Sequence, residues 1–330
     1  MLPDRNGVIS KKLPIISQPL IVILGPTACG KTALACALAG KTGREIISAD
    51  SRQVYRKMDI GTGKDLSEYS VNGKPIPYHL IDIREPGYHY NIAEFEEDFL
   101  AAFNDINQRG NRPILCGGSG LYIEAAIRGN SLVGIPADHA FQNELDQRPS
   151  AEIEEMFRKI DPKIRTLLAA DTRRRKIRAI EIDLFLQRNP EFKLADQTES
   201  RTAITSTLIG IDVARNLRRE RISQRLKHRL DNGLIEEVQQ LLTSGLTQKD
   251  LSYYGLEYKW VGEFLAGKID RPALFSGLEI AIHQFAKRQM TWFRGMERRG
   301  YSIHWLDGVK PMETLVNEII TINSTTESEN

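Results

Sequence analysis

The run Ile21-Val22-Ile23-Leu24-Gly25-Pro26-Thr27-Ala28-Cys29-Gly30-Lys31-Thr32 decides how this chain folds. Its aliphatic start reads as a buried strand, and the Ala/Leu-rich segment from Thr32 onward reads as a helix. Between them lies GxxxxGKT, a strand-to-helix loop suited to binding phosphate. Gly25 and Gly30 let the backbone curl round an anion, so that main-chain N–H groups and a helix N-terminus face it. Lys31 adds a mobile positive charge, and the Thr32 hydroxyl is placed to hold Mg²⁺. The candidate anion-binding residues are therefore Gly25, Pro26, Thr27, Ala28, Cys29, Gly30, Lys31 and Thr32. The loop specifies a pyrophosphate group and leaves open which compound carries it.

Working outward, the helix over 32–42 stops at Gly43, and 45–48 reads as a second buried strand. Its end delivers Asp50, Ser51, Arg52 and Gln53 to the carboxyl edge of a sheet, where open α/β sheets bind ligands. Asp50 thus falls in the same crevice as the loop. Residues 60–64 read as a flexible, partly basic turn, and 71–77, with Asn72-Gly73, as a hairpin or exposed excursion. A third strand is predicted over 79–82, an amphipathic helix over 92–109 and a fourth strand over 112–116. The last of these runs into Gly117-Gly118-Ser119-Gly120, a second glycine-rich turn that packing explains as readily as ligand binding does.

From about residue 131 to 200 the alternation of strands and helices gives way to a mostly helical, highly charged block ending in the polar stretch 196–202. A strand over 208–212 resumes the sheet, followed by helices over 215–232, 234–244, 257–266 and 272–294 and a last strand over 301–306. The tail after Ile322 holds only Asn, Ser, Thr and Glu and reads as disordered. The expected fold is α/β, a P-loop NTPase-like parallel sheet flanked by helices with a mostly helical inserted domain. A flexible arm (1–19), a core (20–130 with 203–307), the insertion (131–202) and a C-terminal segment (308–330) divide the chain.

With 330 residues, 41% apolar and 27% charged, the chain suits one large or two modest soluble domains. Its three cysteines lack metal-binding or disulfide-framework spacing. No apolar run approaches the roughly 20 residues of a membrane span. Residues 1–19 have no signal-peptide core, so the expected location is the cytoplasm. The net charge is only +2, yet cations bunch at Arg173–Arg178, along the helix over 215–232, and at Lys287, Arg288, Arg294, Arg298 and Arg299 beside Trp292 and Phe293. A solvated helix face explains any one cluster. Three clusters poor in acids, one with aromatics able to stack on bases, point to a polyanionic partner. Arg221 and Arg225 lie four apart on one helix side. They are either both exposed to solvent, or one or both reach back to the pyrophosphate.

The motifs GPTACGKT (25–32), ISADSRQVYRKMDIGTGK (47–64), HLIDIREP (79–86), CGGSGLYIEAAIRG (116–129), RERISQRL (219–226), GLIEEVQQLL (233–242) and QFAKRQMTWFR (284–294) together give the chain a family likeness. It resembles the bacterial-type tRNA dimethylallyltransferases, also called tRNA isopentenyltransferases, over most of 20–306 and in the family's order. The stretch 47–64 and the AKRQxTWFR block are highly specific to that family, whereas the P-loop is not.

The resemblance implies transfer of a dimethylallyl group from dimethylallyl diphosphate to N6 of the adenosine immediately 3′ of the anticodon. The tRNAs concerned read codons that begin with U. It implies Asp50 as general base, Thr32 and Lys31 as ligands of Mg²⁺ and diphosphate, and Arg225 or Arg221 as their helper. For tRNA it implies Asp50, Ser51, Arg52, Gln53 and Ser119 near the target base. Arg175, Lys176, Ile177, Arg178, Ala179, Lys287, Arg288, Gln289, Trp292 and Arg294 are the contacts implied further out. The insertion would clamp the anticodon stem, and a monomer suffices. Departures from the family pattern are Cys29 for serine, Ser119 for threonine, Gln142 for arginine, and Gly255-Leu256-Glu257-Tyr258-Lys259 for Gly-Tyr-(Lys/Arg)-(Gln/Glu). The competing readings are an adenylate isopentenyltransferase acting on AMP, ADP or ATP, and a P-loop small-molecule kinase.

Overall fold

A computed structural model describes residues 19–129, 135, 138–168, 170–192 and 204–328. The arm predicted at 1–19, Pro19 excepted, the polar stretch 196–202 and both junctions of the insertion lie outside those residues.

β1 (Leu20–Leu24) is buried at every position, as expected of a strand whose sheet is covered on both faces. The loop after it leads into α1 (Lys31–Thr42), which ends at Gly43 with φ 69°. β2 (Glu45–Ser48), a 3-10 turn (Leu66–Tyr69), the hairpin of β3 (Ser70–Val71) and β4 (Lys74–Pro75), and β5 (Tyr78–His79) follow. Asn72 and Gly73 both take positive φ, 51° and 74°, as the predicted hairpin turn requires. Next come α2 (Ile92–Gln108), opened by a capping box between Asn91 and Glu94, then β6 (Pro113–Gly117) and α3 (Gly120–Arg128).

Four helices come next: α4 (His139–Asp146), α5 (Ser150–Lys159), α6 (Pro162–Leu168) and α7 (Arg173–Arg188). They belong to a separate compact unit, Asn130–Arg201, with its own core around Ile153, Ile164, Ile177 and Ile180. The first unit then resumes with β7 (Ser206–Asp212), α8 (Arg215–Asp231), α9 (Leu234–Thr243), α10 (Gln248–Tyr254) and α11 (Leu256–Leu265). It closes with α12 (Arg271–Arg298), β8 (Ile303–Asp307) and α13 (Met312–Ser328).

The sheet of the first unit runs β5-β2-β6-β1-β7-β8, and every neighbouring pair is parallel. Val22 lies opposite both Leu115 and Leu208. The pleat sends Leu20, Val22 and Leu24 into the larger core with residues of α2, α3 and α8 to α12. It sends Ile21 and Ile23 into the smaller core with α1 and α13.

Four sequence expectations change. The turn at 60–64 is packed in place: Lys64 is fully buried, and its ammonium donates to the Tyr55 carbonyl, to Asp82 and, at 2.7 Å, to Asp59. Glu237 accepts the N–H groups of Asp59, Ile60 and Gly61 at 2.8, 2.7 and 3.0 Å. The strand over 79–82 pairs only at Tyr78–His79, because Leu80 and Asp82 take φ 62° and 56°. α10 was not anticipated, although Thr247 and Asp250 form a capping box at its start. The tail after Ile322 is helical to Ser328: Leu315, Val316 and Ile319 pack into the α1 core. In that tail the hydroxyls of Thr325 and Thr326 each donate to a carbonyl four residues back at 3.1 Å, so the polar groups that argued for disorder are satisfied within the helix.

Candidate active site

β2, β6 and β1 are adjacent, so their carboxyl ends bring Asp50, Ser119 and the loop over 25–30 to one cavity of about 640 Å³. The loop's shape follows from its small residues. A side chain on Gly25 would begin 2.6 Å from the Ile211 carbonyl oxygen and 2.8 Å from Cys29 Sγ. Ala28 and Gly30 take φ 63° and 87°, curling the backbone, and Cys29 is buried beneath it. Gly30 caps α1 without a side-chain hydrogen bond, so the first-turn amides of α1 are left to an anion. Lys31 Nζ rests 3.4 Å from the Pro26 carbonyl. The Thr27 N–H donates to Gln289 Oε1 at 2.8 Å, and Gln289 Nε2 donates to the Gly118 carbonyl at 2.9 Å. One side-chain amide on α12 therefore ties the loops after β1 and β6 together. Pro26 belongs to the loop, while Thr27, Ala28, Lys31 and Thr32 line the cavity.

Asp50 follows β2, and its Oδ1 accepts the Arg52 N–H at 2.9 Å, its one hydrogen bond among the described residues. Ser51 lines the cavity, and the Arg52 guanidinium sits 5.0 Å from the centre of the Tyr253 ring. Gln53 is buried; it accepts from Ser48 at 2.9 Å and donates to the Gly63 carbonyl at 3.2 Å, so it braces the site. Ser119 precedes α3 without capping it, which leaves its hydroxyl to the cavity.

α8 supplies Arg221 and Arg225 to the opposite wall, with Ile222, Leu226 and Leu230 buried behind them. The Arg225 guanidinium donates to the Thr27 hydroxyl. Burial, and then the charge of Arg229, lower its pKa to about 10. Glu68 and Glu257 line the same cavity and are pushed up, first by burial. In the sequence Arg229 counts only as one of the cations of the helix over 215–232, and Glu68 is not singled out. Arg229 continues the four-residue spacing of Arg221 and Arg225, a usable signal, whereas nothing local marks Glu68.

The remaining predicted residues divide. Arg288 joins Gln289 at this cavity, but Lys287 and Arg294 line another of about 980 Å³, with Arg215, Arg218 and Arg219. Phe293 is fully buried, and the Trp292 indole N–H donates to Glu124 at 2.8 Å. The Trp292 ring lies where a side chain on Gly120 would begin only 2.0 Å away. Of the aromatics expected to stack on bases, Trp292 thus packs α12 against α3, and Phe293 meets the Trp305 ring of β8. In the helical unit, the side chains of Ile177 and Ala179 are buried in the core. Arg175 pairs with Asp171 at 2.7 Å, Lys176 with Glu154, and Arg178 with Glu181 at 2.7 Å. Gln142 also donates to Glu181, at 2.8 Å.

For a metal, Thr32 of the GKT loop and Asp50 at the end of β2 offer oxygens; Asp65, Glu68 and Glu257 also line the cavity, while Asp82 is occupied by Lys64. No group of three or more His, Cys, Asp or Glu able to hold a metal occurs among the described residues. That sparse set fits Mg²⁺, which commonly takes one or two protein oxygens and fills its shell with phosphate and water. No helix among the described residues is long and apolar enough to cross a membrane.

The parallel sheet, the GKT loop and the carboxylate at the next strand's end define a P-loop NTPase-like enzyme. The family model described as IPP transferase matches residues 53–296, and one described as isopentenyl transferase matches 18–75. A tRNA dimethylallyltransferase of Phocaeicola vulgatus is 52% identical over 304 residues, covering 92% of this chain and 97% of its own. One of Bacteroides fragilis is 50% identical over 298 residues, covering 90% and 95%. The full-length tRNA isopentenylpyrophosphate transferase of Bacillus halodurans matches with a TM-score of 0.67 and 30% identity, over 94% of this chain and 97% of that one. The chain belongs to the IPP transferase family of tRNA dimethylallyltransferases and is a prenyltransferase.

Proposed function

We propose that this chain transfers the dimethylallyl group of dimethylallyl diphosphate to N6 of the adenosine 3′-adjacent to the anticodon, in tRNAs reading codons that begin with U. The observation that supports this best is the convergence of a lightly bonded carboxylate, Asp50, with the GKT loop and Arg225 in one cavity. The N6–C1 bond forms as the C1–O bond breaks, and the diphosphate leaves with the bonding electron pair. Asp50 accepts the N6 proton; its carboxylate, fixed by the Arg52 amide, orients the weakly nucleophilic exocyclic amine. The α1 amides, Lys31 and Arg225 face the charge that grows on the leaving group. Thr32 would hold Mg²⁺, which when bound neutralises part of the diphosphate charge. The adenine leaves its stack to enter, as targets of base-modifying enzymes do. Phosphate contacts to Arg175, Lys287 and Arg294 suit a role in positioning the RNA. The reaction itself demands only one copy of the chain, and its substrate places it in the cytoplasm.

The test incubates the chain with radiolabelled dimethylallyl diphosphate and either tRNA or AMP, beside an ATP kinase assay. Label in tRNA alone is the expected result. Label in AMP, or phosphate moved from ATP to a metabolite, would replace the reading with one of its rivals.

A further inference from the structure

α8 brings a third arginine to the donor cavity: Arg221, Arg225 and Arg229 recur every four residues and line one wall. Arg229 is only 8% exposed. Its guanidinium has five N–H donors, yet among the described residues it makes one hydrogen bond, a 3.4 Å contact with Asp65. A well-engaged guanidinium–carboxylate pair closes to about 2.8 Å, so this one is slack. Room for the guanidinium comes from Gly63, where φ is +66° and a side chain would begin 2.4 Å from Arg229 Nη2.

The neighbouring Arg225 is held below its ordinary range by burial and then by the charge of Arg229. Two poorly hydrated cations with one slack counter-ion leave a positive field that a multiply charged anion would neutralise. Glu68 and Glu257 line the same cavity, and burial pushes the pKa of each up.

We propose that Arg229 is a further donor-binding residue, which takes diphosphate oxygens as the third rung of the arginine ladder and gives up Asp65 to do so. The proposal rests on the reading of this cavity as a diphosphate site. A purely structural role would instead make the Arg229–Asp65 pair an end in itself.

Inorganic pyrophosphate, titrated calorimetrically into the full chain, separates the two. Arg229→Met keeps an unbranched apolar stem, removes every donor and should weaken pyrophosphate binding roughly 30-fold. Arg229→Lys keeps the charge and should lose roughly fivefold. Asp65→Asn frees the guanidinium and should bind pyrophosphate as tightly as the unchanged chain, or several-fold more tightly. Affinity within twofold of the unchanged chain in Arg229→Met overturns the proposal. So does a loss in Asp65→Asn equal to that in Arg229→Met. Thermal unfolding checks each variant, and if Arg229→Met does not fold, unchanged affinity in Arg229→Lys overturns the proposal in its place. An unchanged chain that binds no pyrophosphate would sink the donor reading itself; tight binding indifferent to Arg229 would sink this proposal alone.

Discussion

Two carboxylates stand at opposite ends of one strand. Glu45 opens β2, and its side chain, 4% exposed, accepts from Arg109 at 2.5 and 2.9 Å, from Asn111 at 2.8 Å and bonds His79 at 2.7 Å. Those partners, Arg109 foremost, hold its pKa at about 2. Asp50 lies just past the other end and accepts one main-chain N–H. The first has its lone pairs spoken for by the fold, and the second has capacity left for a substrate. Satisfaction by the protein's own groups, more than charge or burial, separates a structural acid from a working one here. The same contrast divides the cations. Arg173, Arg175, Lys176 and Arg178 of α7 each hold a carboxylate within their own unit, while the Arg225 guanidinium of α8 bonds, among the described residues, only a hydroxyl.

This contrast is breakable. Asp50→Ala should lower turnover by about 10³-fold with tRNA affinity and thermal stability nearly unchanged; single-turnover rates and a binding assay read both. Equal loss of affinity would show Asp50 to be structural. Arg225→Ala should reduce kcat/KM for the donor by about 10²-fold and leave the KM for tRNA in place, which steady-state kinetics with each substrate varied would check.

Glu45→Gln should act the other way, removing about 2 kcal/mol of stability while the folded fraction keeps its activity. Because the folded pKa lies below the ordinary 4.5, Glu45 stabilises fully above that value, and its contribution fades as pH falls towards about 2. Between those limits the melting temperature should fall more steeply with decreasing pH in the unchanged chain than in the variant. Smallest of all, Arg175→Ala removes the most exposed of the paired cations in α7. It should weaken tRNA binding a few-fold and lower the salt slope by no more than about one. An unchanged slope would take α7 out of the RNA contact.

What the sequence made legible was local. The strand, loop and helix over 20–42, the placement of Asp50 and the turn at Asn72-Gly73 each depend on residues within one short stretch. What it hid depends on partners far along the chain. Lys64 reads as exposed until Asp82 and the Glu237-held turn enclose it. Trp292 reads as a base-stacking residue until Gly120 and Glu124 claim it. The tail after Ile322 reads as too polar to pack, yet it continues the helix over 312–328, whose Leu315, Val316 and Ile319 form a stripe that matters only beside α1. Arg229 was visible as a spacing, but only packing shows that its guanidinium is underemployed.

That last helix carries a practical warning. α13 backs α1 from the side away from the cavity, sharing a core with Leu34, Leu38 and Ala39. Trimming it would withdraw support from the helix whose leading amides line the proposed donor site, without altering any residue assigned to substrate binding. An inactive truncation there would therefore report a loosened scaffold, and reading it as evidence for a C-terminal reaction partner would be a mistake.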